Sequence, residues 1–355
     1  MEYPHHQSLR LQNFTCFKDC EMNFSPGINV FIGENGTGKT HVMKALYARN
    51  FRMTHANEDF SLILKELFQY DEIQHLYRNL NDQVPKPKIE GKYSNKLWHF
   101  GLEGPGPWTE SSEDLMHPWA TAFEKFNGVI GYPVFVPAID MMGHTKHFIE
   151  AADMVPLDFD LTCINIVAQL MSRTPNRKAD YGELGFLSPK LEGALELSDD
   201  GRFHIASDRQ TLPITLFGEG IRKIATLLQL YKSGWLEPGT ILFWDEPEVN
   251  LNPQLMDELV EALLILSRSG VQIFLATHSY VILKELDLHA SREDKVLYHA
   301  FGKCKECDEG TKVTSTEEFS QITPNPILDQ YTYLYDRELT KATGRTRNAK
   351  TLHSK

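Results

Sequence analysis

The chain has 355 residues, of which 41% are hydrophobic and 24% are charged, and its formal net charge is 36 − 48 = −12. This length predicts about two structural units, or one domain with a large insertion, and it suffices to bury a core without disulfides. The ordinary composition excludes an intrinsically disordered, a collagen-like or a disulfide-scaffold protein. The acidic balance makes the whole chain a poor non-specific binder of nucleic acid.

The first 50 residues predict three strands and a helix. Alternating apolar residues indicate the first strand, and a continuous apolar run indicates a strand that is buried on both faces. A glycine-rich loop then leads into a stretch with helical spacing of apolar residues. The predicted elements are strands over 8–14, 21–24 and 28–32, and a helix over about 40–50.

The region 51–209 reads as a large α/β insertion or lid. Apolar residues at helical spacing predict a seam of about three heptads, and one strand is predicted to return to the core. The seam consists of Phe60, Ile63, Leu67, Tyr70 and Tyr77. The other predicted elements are hairpins over 88–104 and 191–205, a strand from 134 and a helix over 158–172.

The last third alternates strands with helices, which predicts a parallel sheet shared with the first 50 residues. The elements are helices over 219–232, 253–268 and 279–286, strands over 240–244 and 271–276, and a hairpin that joins 295–300 to 311–315. The predicted organisation is a split core over 1–50 and 210–290, the insertion over 51–209, a hairpin and helix over 291–336, and a tail over 337–355. The tail holds six basic residues and one acid, and a solvated terminus is the simplest interpretation.

The loop after the third strand carries a phosphate-binding motif of the form G-x-x-x-x-G-K-[ST]. Its position between a buried strand and a helix is what phosphate binding requires, because backbone N–H groups and the helix N-terminus then face the phosphates. Lys39 would bridge the β- and γ-phosphates of ATP, and the hydroxyl of Thr40 would bind Mg²⁺. The motif comprises Gly33, Glu34, Asn35, Gly36, Thr37, Gly38, Lys39 and Thr40.

Two later strands end in residues that complete an ATP site. An apolar strand ends at Asp245 and Glu246, so Asp245 is predicted to hold Mg²⁺ and Glu246 to act as general base or to orient water. His278 follows the next apolar strand and would reach the γ-phosphate from the same sheet edge. The catalytic candidates are therefore Glu246, His278 and Lys39, and the metal candidates are Thr40 and Asp245.

These motifs, together with the segment 217–223 (FGEGIRK) and the segment 245–253 (DEPEVNLNP), resemble the ABC-type ATPases of the RecF, SMC and OLD group. The resemblance is closest to small stand-alone AAA-like proteins of bacterial antiphage operons, which are OLD-like or of the Septu and PARIS type. It implies an α/β P-loop NTPase fold with an ABC-type head, formed by a mixed N-terminal sheet and a mostly parallel core sheet.

The resemblance also implies a dimer in which two heads enclose two ATP molecules. Gly218, Glu219 and Gly220 would then form the signature loop that contacts the partner's nucleotide, and Asn250 would lie in the adjoining D-loop. Gly218 replaces the usual signature serine, which loses a hydroxyl donor and keeps the backbone N–H groups. The residue equivalent to the family's glutamine lid lies within 134–147 and is not assigned.

The leading functional hypothesis is an ATPase that acts as a switch on a separately encoded effector, such as a nuclease or toxin in antiphage defence. A RecF-like repair ATPase is the alternative, with DNA binding unsupported by net charge, and a transporter ATPase subunit is a weaker one. A long-armed SMC protein is excluded because only about 180 residues separate Lys39 from Gly220. A GTPase is disfavoured because no Asn-Lys-x-Asp motif is present.

Other features favour a cytoplasmic protein without a membrane span. No apolar run approaches the ~20 residues of a spanning helix, the N-terminus lacks the pattern of a signal peptide, and five cysteines are typical of a reducing compartment. Cys304 and Cys307 have zinc-knuckle spacing without a second pair nearby, so an exposed turn is the favoured interpretation. Asp158 and Asp160 are interpreted as acids flanking a helix.

Overall fold

The structure is a computed structural model that describes residues 3–55, 60–79, 86–101, 109–110, 132–154, 158–172, 180–291, 293–303 and 310–343. Its strands are β1 (His6–Phe14), β2 (Phe17–Asn23), β3 (Ile28–Gly33), β4 (Lys88–Tyr93), β5 (Lys96–Gly101), β6 (Thr109–Glu110), β7 (Pro133–Val136), β8 (Ala194–Leu197), β9 (Phe203–Ala206), β10 (Thr211–Pro213), β11 (Ile241–Asp245), β12 (Gln272–Thr277), β13 (Val296–Lys303) and β14 (Thr311–Thr316). Its α-helices are α1 (Lys39–Thr54), α2 (Phe60–Phe68), α3 (Phe148–Met154), α4 (Leu161–Met171), α5 (Glu219–Lys232), α6 (Pro253–Arg268), α7 (Tyr280–His289) and α8 (Pro326–Thr343).

The central sheet has the strand order β14-β13-β3-β12-β11-β7. Neighbouring strands from β13 to β7 run parallel, and β14 is antiparallel to β13. Asp245 pairs with Ala276, and Thr277 pairs with Ile32. The carboxyl ends of β3, β11 and β12 therefore lie side by side, which is where open α/β sheets bind ligands.

Two apolar layers cover the central sheet because side chains alternate along each strand. Phe243 and Phe274 face α1, α2 and an antiparallel sheet of order β2-β1-β4-β5-β6. Leu242 and Trp244 face the opposite way, into a core shared with helices α4 to α7. The α/β fold with a mostly parallel core sheet is thus the one that the sequence implies. The N-terminal sheet, for which the resemblance implies mixed pairing, is antiparallel at every described pairing, because its strands are joined as hairpins or pair in opposite directions.

Residues of the predicted insertion contribute to both layers. The hairpin β4–β5 extends the N-terminal sheet by pairing with β1, and β7 forms an edge of the central sheet beside β11. A further small sheet, β8-β9-β10, contains the hairpin that the sequence predicts at 191–205.

The prediction of a helical seam three heptads long is wrong in its length. Helix α2 ends at Phe68, Gln69 has φ 50°, and a 3₁₀ turn follows over Ile73–Leu76. The seam residues Phe60, Ile63 and Leu67 are nevertheless buried in the N-terminal core, so their apolar spacing reports burial and not a long helix.

The C-terminal helix α8 extends through part of the predicted basic tail. Arg337 and Lys341 belong to this helix, which ends at Thr343. Residues 344–355 lie outside the described residues, and so do Cys304 and Cys307. Among the helices that the structure describes, none combines the length and the apolarity needed to cross a membrane.

Candidate nucleotide-binding site

The phosphate-binding loop leaves β3 at Gly33 and enters α1 at Lys39. Gly38 has φ 94°, and a Cβ at this position would lie 2.4 Å from Cys16 Sγ, so both its conformation and its packing require glycine. The hydroxyl of Thr37 donates to the carbonyl of Glu34 at 2.8 Å, which ties the two sides of the loop together. Local hydrogen bonds thus hold the loop in its curved form.

The ammonium of Lys39 lies inside this loop. Its Nζ donates to the carbonyl oxygens of Gly33 at 2.9 Å and Glu34 at 3.1 Å. The side chain is buried, and this burial lowers the pKa of Lys39, while Asp245 and Glu246 oppose the shift. The positive charge therefore lies in a partly desolvated position, where a charge interacts more strongly with an anion than it does in water.

Thr40 and Asp245 meet across the sheet edge, as the sequence predicts for a metal site. The hydroxyl of Thr40 donates to Asp245 Oδ2 at 2.8 Å. Burial, with a contribution from neighbouring Glu246, raises the pKa of Asp245 to about 6 even though the Thr40 hydrogen bond opposes it. A hydroxyl beside a desolvated carboxylate is an oxygen donor set that suits Mg²⁺, so these two residues fit that ion.

Glu246 and His278 lie next to this pair. Glu246 Oε1 is 3.7 Å from His278 Nε2, and both side chains are about one-third exposed. Burial and the nearby charge of Lys39 lower the pKa of His278, which favours the neutral ring at neutral pH. One sheet edge thus brings together four of the residues that the sequence assigned to the site, namely Thr40, Asp245, Glu246 and His278.

The backbone of Glu246 has φ 47°, in the left-handed region that costs a non-glycine residue of order 1–3 kcal/mol. Its N–H donates to the carbonyl of Ala276 at 2.9 Å, which anchors the residue to β12. This turn directs the chain away from β11 and toward the segment that carries Asn250.

The candidate signature residues lie at the start of α5, next to the segment after β11 that carries Asn250. Gly218 precedes the first helical residue, Glu219, whose carboxylate accepts a hydrogen bond from Asn250 Nδ2 at 2.7 Å. A Cβ on Gly220 would be 3.2 Å from the carbonyl of Asn250, whereas a Cβ on Gly218 would meet nothing within 4 Å. The candidate signature loop and the candidate D-loop therefore contact each other within one chain.

Two side chains with contacts at this site are given no role by the sequence motifs. Glu248 Oε1 accepts from the backbone N–H of His278 at 2.5 Å, and burial raises the pKa of this carboxyl. Lys223 donates to the carbonyl oxygens of Glu246 and Pro247. The sequence signals that point to them are a lysine in the apolar stripe of α5 and a third acid in the run 245–248.

The loop after β7 also contacts α5. Arg222 Nε donates to Asp140 Oδ2 at 2.7 Å, and its Nη1 donates to the carbonyl of Phe217 at 2.7 Å. Asp140 also accepts from the N–H of Met142 at 3.2 Å. Arg222 thus joins two segments: its ion pair holds the loop after β7, and its hydrogen bond to Phe217 holds the segment before Gly218.

Asp160 does not join the ATP site. It caps α4 by accepting from the N–H of Thr162, and it pairs with Lys44 at 2.6 Å. The interpretation of this acid as a helix-flanking residue is confirmed.

Two family models match the parts of the chain that carry this site. Residues 157–284 match a model described as an AAA domain, putative AbiEii toxin, type IV TA system, and residues 7–96 match an AAA ATPase domain. The chain carries AAA-type ATPase domain sequence and has the fold of an SMC head. The matched ranges include both the phosphate-binding loop and the strand that ends at Asp245.

The SMC-head fold is seen in solved structures that resemble almost the whole chain. An Smc head domain from Pyrococcus furiosus, bound to the C-terminal domain of ScpA, has a TM-score of 0.55 at 11% identity and covers 95% of this chain and 100% of its own. An Smc head from Pyrococcus yayanosii has a TM-score of 0.58 at 10% identity, with 94% and 100% coverage. Identities this low establish the fold and no more.

Curated relatives match a short part of the chain. The DNA replication and repair protein RecF of Chlamydia abortus is 39% identical over 88 residues, or 22% of this chain and 24% of RecF. RecF of Chlamydia caviae is 47% identical over 55 residues, or 14% and 15%. The chain thus matches a quarter or less of these relatives' length. Together the findings support the RecF/SMC group of ABC-type ATPases.

Proposed function

We propose that the chain is a Mg²⁺-dependent ATP-hydrolysing switch in which two heads close on ATP. The observation that carries the proposal is the 2.8 Å contact between Thr40 and Asp245, because it joins the phosphate-binding loop to the acidic strand end. Lys39, Glu246 and His278 lie around this contact. Phosphoryl transfer to water requires a loop that binds the phosphates, residues that bind the metal ion, and a base beside them.

Each group has a distinct chemical task in this proposal. Bound Mg²⁺ would neutralise charge that develops on the β- and γ-phosphate oxygens. Lys39 binds the same phosphates, and Thr40 and Asp245 are the residues that would hold the metal. Glu246 accepts a proton from the attacking water or orients it, and neutral His278 donates a hydrogen bond to the γ-phosphate.

The two-head arrangement rests on the signature loop. The start of α5 presents Gly218 without a covering side chain, and its backbone N–H groups are suited to a phosphate of the partner's nucleotide. Asn250 is tied to Glu219, so the D-loop would move with this surface. ATP then acts as part of the interface and favours the closed dimer by its greater affinity for that state.

The output of the switch is a separately encoded cytoplasmic effector, such as a nuclease or toxin of an antiphage system. Support comes from the family model whose description names a putative AbiEii toxin of a type IV TA system. Related support comes from SMC heads that are bound to ScpA, a separate chain. The OLD-like character of the sequence motifs favours the same role.

The experiment combines two measurements on wild-type protein and on Glu246→Gln. Phosphate release should require Mg²⁺ and should fall in the variant, while native mass spectrometry should detect an ATP-dependent dimerisation step that the variant enhances. Co-expression with the product of the adjacent gene should yield a complex whose stability or activity depends on ATP. Turnover by a strict monomer would contradict the two-head switch.

A RecF-like DNA-binding ATPase is the second candidate, favoured by the partial similarity to RecF. Because the net charge is −12, we expect weak duplex binding at physiological salt that depends on the basic tail. Truncation after Thr343 removes four tail cations and leaves α8 intact, so it is preferable to removal of 337–355. Tight duplex binding by the truncated chain, measured by fluorescence anisotropy, would favour this candidate over the switch.

A further inference from the structure

Lys223 is a buried lysine whose ammonium binds main-chain carbonyls of the segment that follows β11. It lies in α5 and is 4% exposed. Its Nζ donates to the carbonyl oxygen of Glu246 at 3.1 Å and to that of Pro247 at 3.3 Å. Burying an ammonium is unfavourable unless hydrogen bonds replace its hydration, and here consecutive carbonyls supply them.

With these contacts, both the backbone N–H and the backbone C=O of Glu246 are hydrogen-bonded. The N–H of Glu246 is held by the carbonyl of Ala276 in β12, and its C=O is held by Lys223. The residue adopts φ 47°, a conformation that persists only where neighbouring contacts impose it. The direction of the Glu246 carboxylate therefore depends on the position of the Lys223 ammonium.

Lys223 also lies one helical turn from the signature loop. In the same helix Glu219 accepts a hydrogen bond from Asn250, and Gly220 lies against the carbonyl of Asn250. The start of α5 and the segment from Glu246 to Asn250 are thus joined at two points. A shift of one would displace the other, because a packed, hydrogen-bonded contact transmits small displacements.

We propose that Lys223 is a positioning residue that aims the carboxylate of Glu246 in its own head. The inference rests on the proposed function, in which Glu246 acts on the attacking water and the signature loop contacts the partner's nucleotide. A consequence is that engagement of the signature loop at one ATP is transmitted through α5 to the catalytic carboxylate at the other. The two sites of the dimer are then coupled within each chain.

The first test separates turnover from binding. Lys223→Met keeps the length and the apolar stem and removes the donors. We expect kcat to fall by ~10²-fold, as misplacement of a reacting group by about 1 Å can produce, with the Kd for ATP in calorimetry unchanged within about twofold. Lys232→Met, at the other end of the same helix, is the matched control and should behave like wild type. Equal losses in both variants would overturn the proposal.

The second test asks whether Lys223 acts through Glu246. In a Glu246→Gln background, Lys223→Met should reduce the residual turnover by less than about twofold, because the group that it positions no longer accepts a proton. A full further loss in the double variant would assign Lys223 a general structural role and would overturn the proposal. If Glu246→Gln alone turns over normally, the base assignment fails instead, and the two failures are distinguishable.

A third variant covers the case in which Lys223→Met does not fold. Lys223→Gln keeps two amide N–H donors on a shorter, uncharged side chain and should fold with an intermediate kcat. Thermal unfolding would be measured alongside. A Gln variant of wild-type kcat, or one whose loss persists undiminished in the Glu246→Gln background, would contradict the positioning role.

Discussion

Thr40 Oγ1 and Asp245 Oδ2 lie 2.8 Å apart although 205 positions separate the two residues in the chain. The contact exists because β3 and β11 end at the same edge of the central sheet, with β12 between them. If the pair holds Mg²⁺, Thr40→Val should raise the Mg²⁺ concentration needed for half-maximal phosphate release by more than ~10-fold. Thr40→Ser keeps the hydroxyl and serves as the control. Identical Mg²⁺ titrations for Val and Ser would refute the metal assignment.

Removal of the Lys39 ammonium should abolish ATP binding or nearly so. Lys39→Ala deletes the one full positive charge of the loop and its hydrogen bonds to Gly33 and Glu34. Calorimetry with ATP and Mg²⁺ measures the loss, and circular dichroism checks that the fold persists. Wild-type affinity in a folded variant would show that the loop does not bind the phosphates.

Replacement of Glu246, the proposed catalytic base, should separate binding from hydrolysis. Glu246→Gln keeps the shape and loses the basicity, so we expect ATP binding with turnover slowed by ~10²–10⁴-fold. Single-turnover phosphate release at saturating ATP is the measurement. Near-normal turnover would shift the role of base to another group, of which His278, at 3.7 Å, is the next candidate.

A large residue on the signature loop should block the partner's ATP site. Gly220→Arg would act there, but its Cβ would also press on the D-loop of the same chain, 3.2 Å from the carbonyl of Asn250. Gly218→Arg, where a Cβ meets nothing within 4 Å, is the cleaner variant. We expect both to bind ATP, to hydrolyse little and to lose the ATP-dependent dimerisation step in light scattering. Normal hydrolysis by a monomeric Gly218→Arg protein would rule out the two-head mechanism.

Acid should destabilise the chain through His299, which is fully buried between Asn29 and Ser315. Burial lowers the pKa of this ring to about 3, whereas the unfolded chain binds the proton near 6.5. The unfolded state therefore takes up a proton that the folded state does not, and stability is lost as pH falls below 6.5. His299 alone should contribute a loss of about 2 kcal/mol between pH 7 and pH 5.

Chemical unfolding of wild type and His299→Gln at both pH values tests this prediction. His6 is also buried with a lowered pKa and remains in both proteins, so the quantity of interest is the difference between their pH dependences. The variant should lose less stability than wild type on acidification. An equal loss would show that the folded state accommodates protonated His299.

The local motifs were readable from the sequence because each depends on a few neighbouring residues. The glycine-rich loop requires glycine at Gly38, and a strand that ends in Asp245 and Glu246 identifies itself by the step from apolar to acidic residues. Helices α5 and α6 were predicted with their observed bounds, 219–232 and 253–268, because their apolar spacing is regular and their ends are clear.

The sequence alone determined the phosphate-binding loop, the acidic strand end and the parallel α/β class, since these follow from local spacing and side-chain type. Only the tertiary structure decided which distant groups meet. The apolar seam from Phe60 to Tyr77 forms a short helix and a 3₁₀ turn, because apolar periodicity specifies burial and does not fix helix length. Lys223 binds the backbone of Glu246, and Arg222 pairs with Asp140, because folding brings helix α5 against two loops. Such contacts depend on how the sheet orders its strands, which no local pattern encodes.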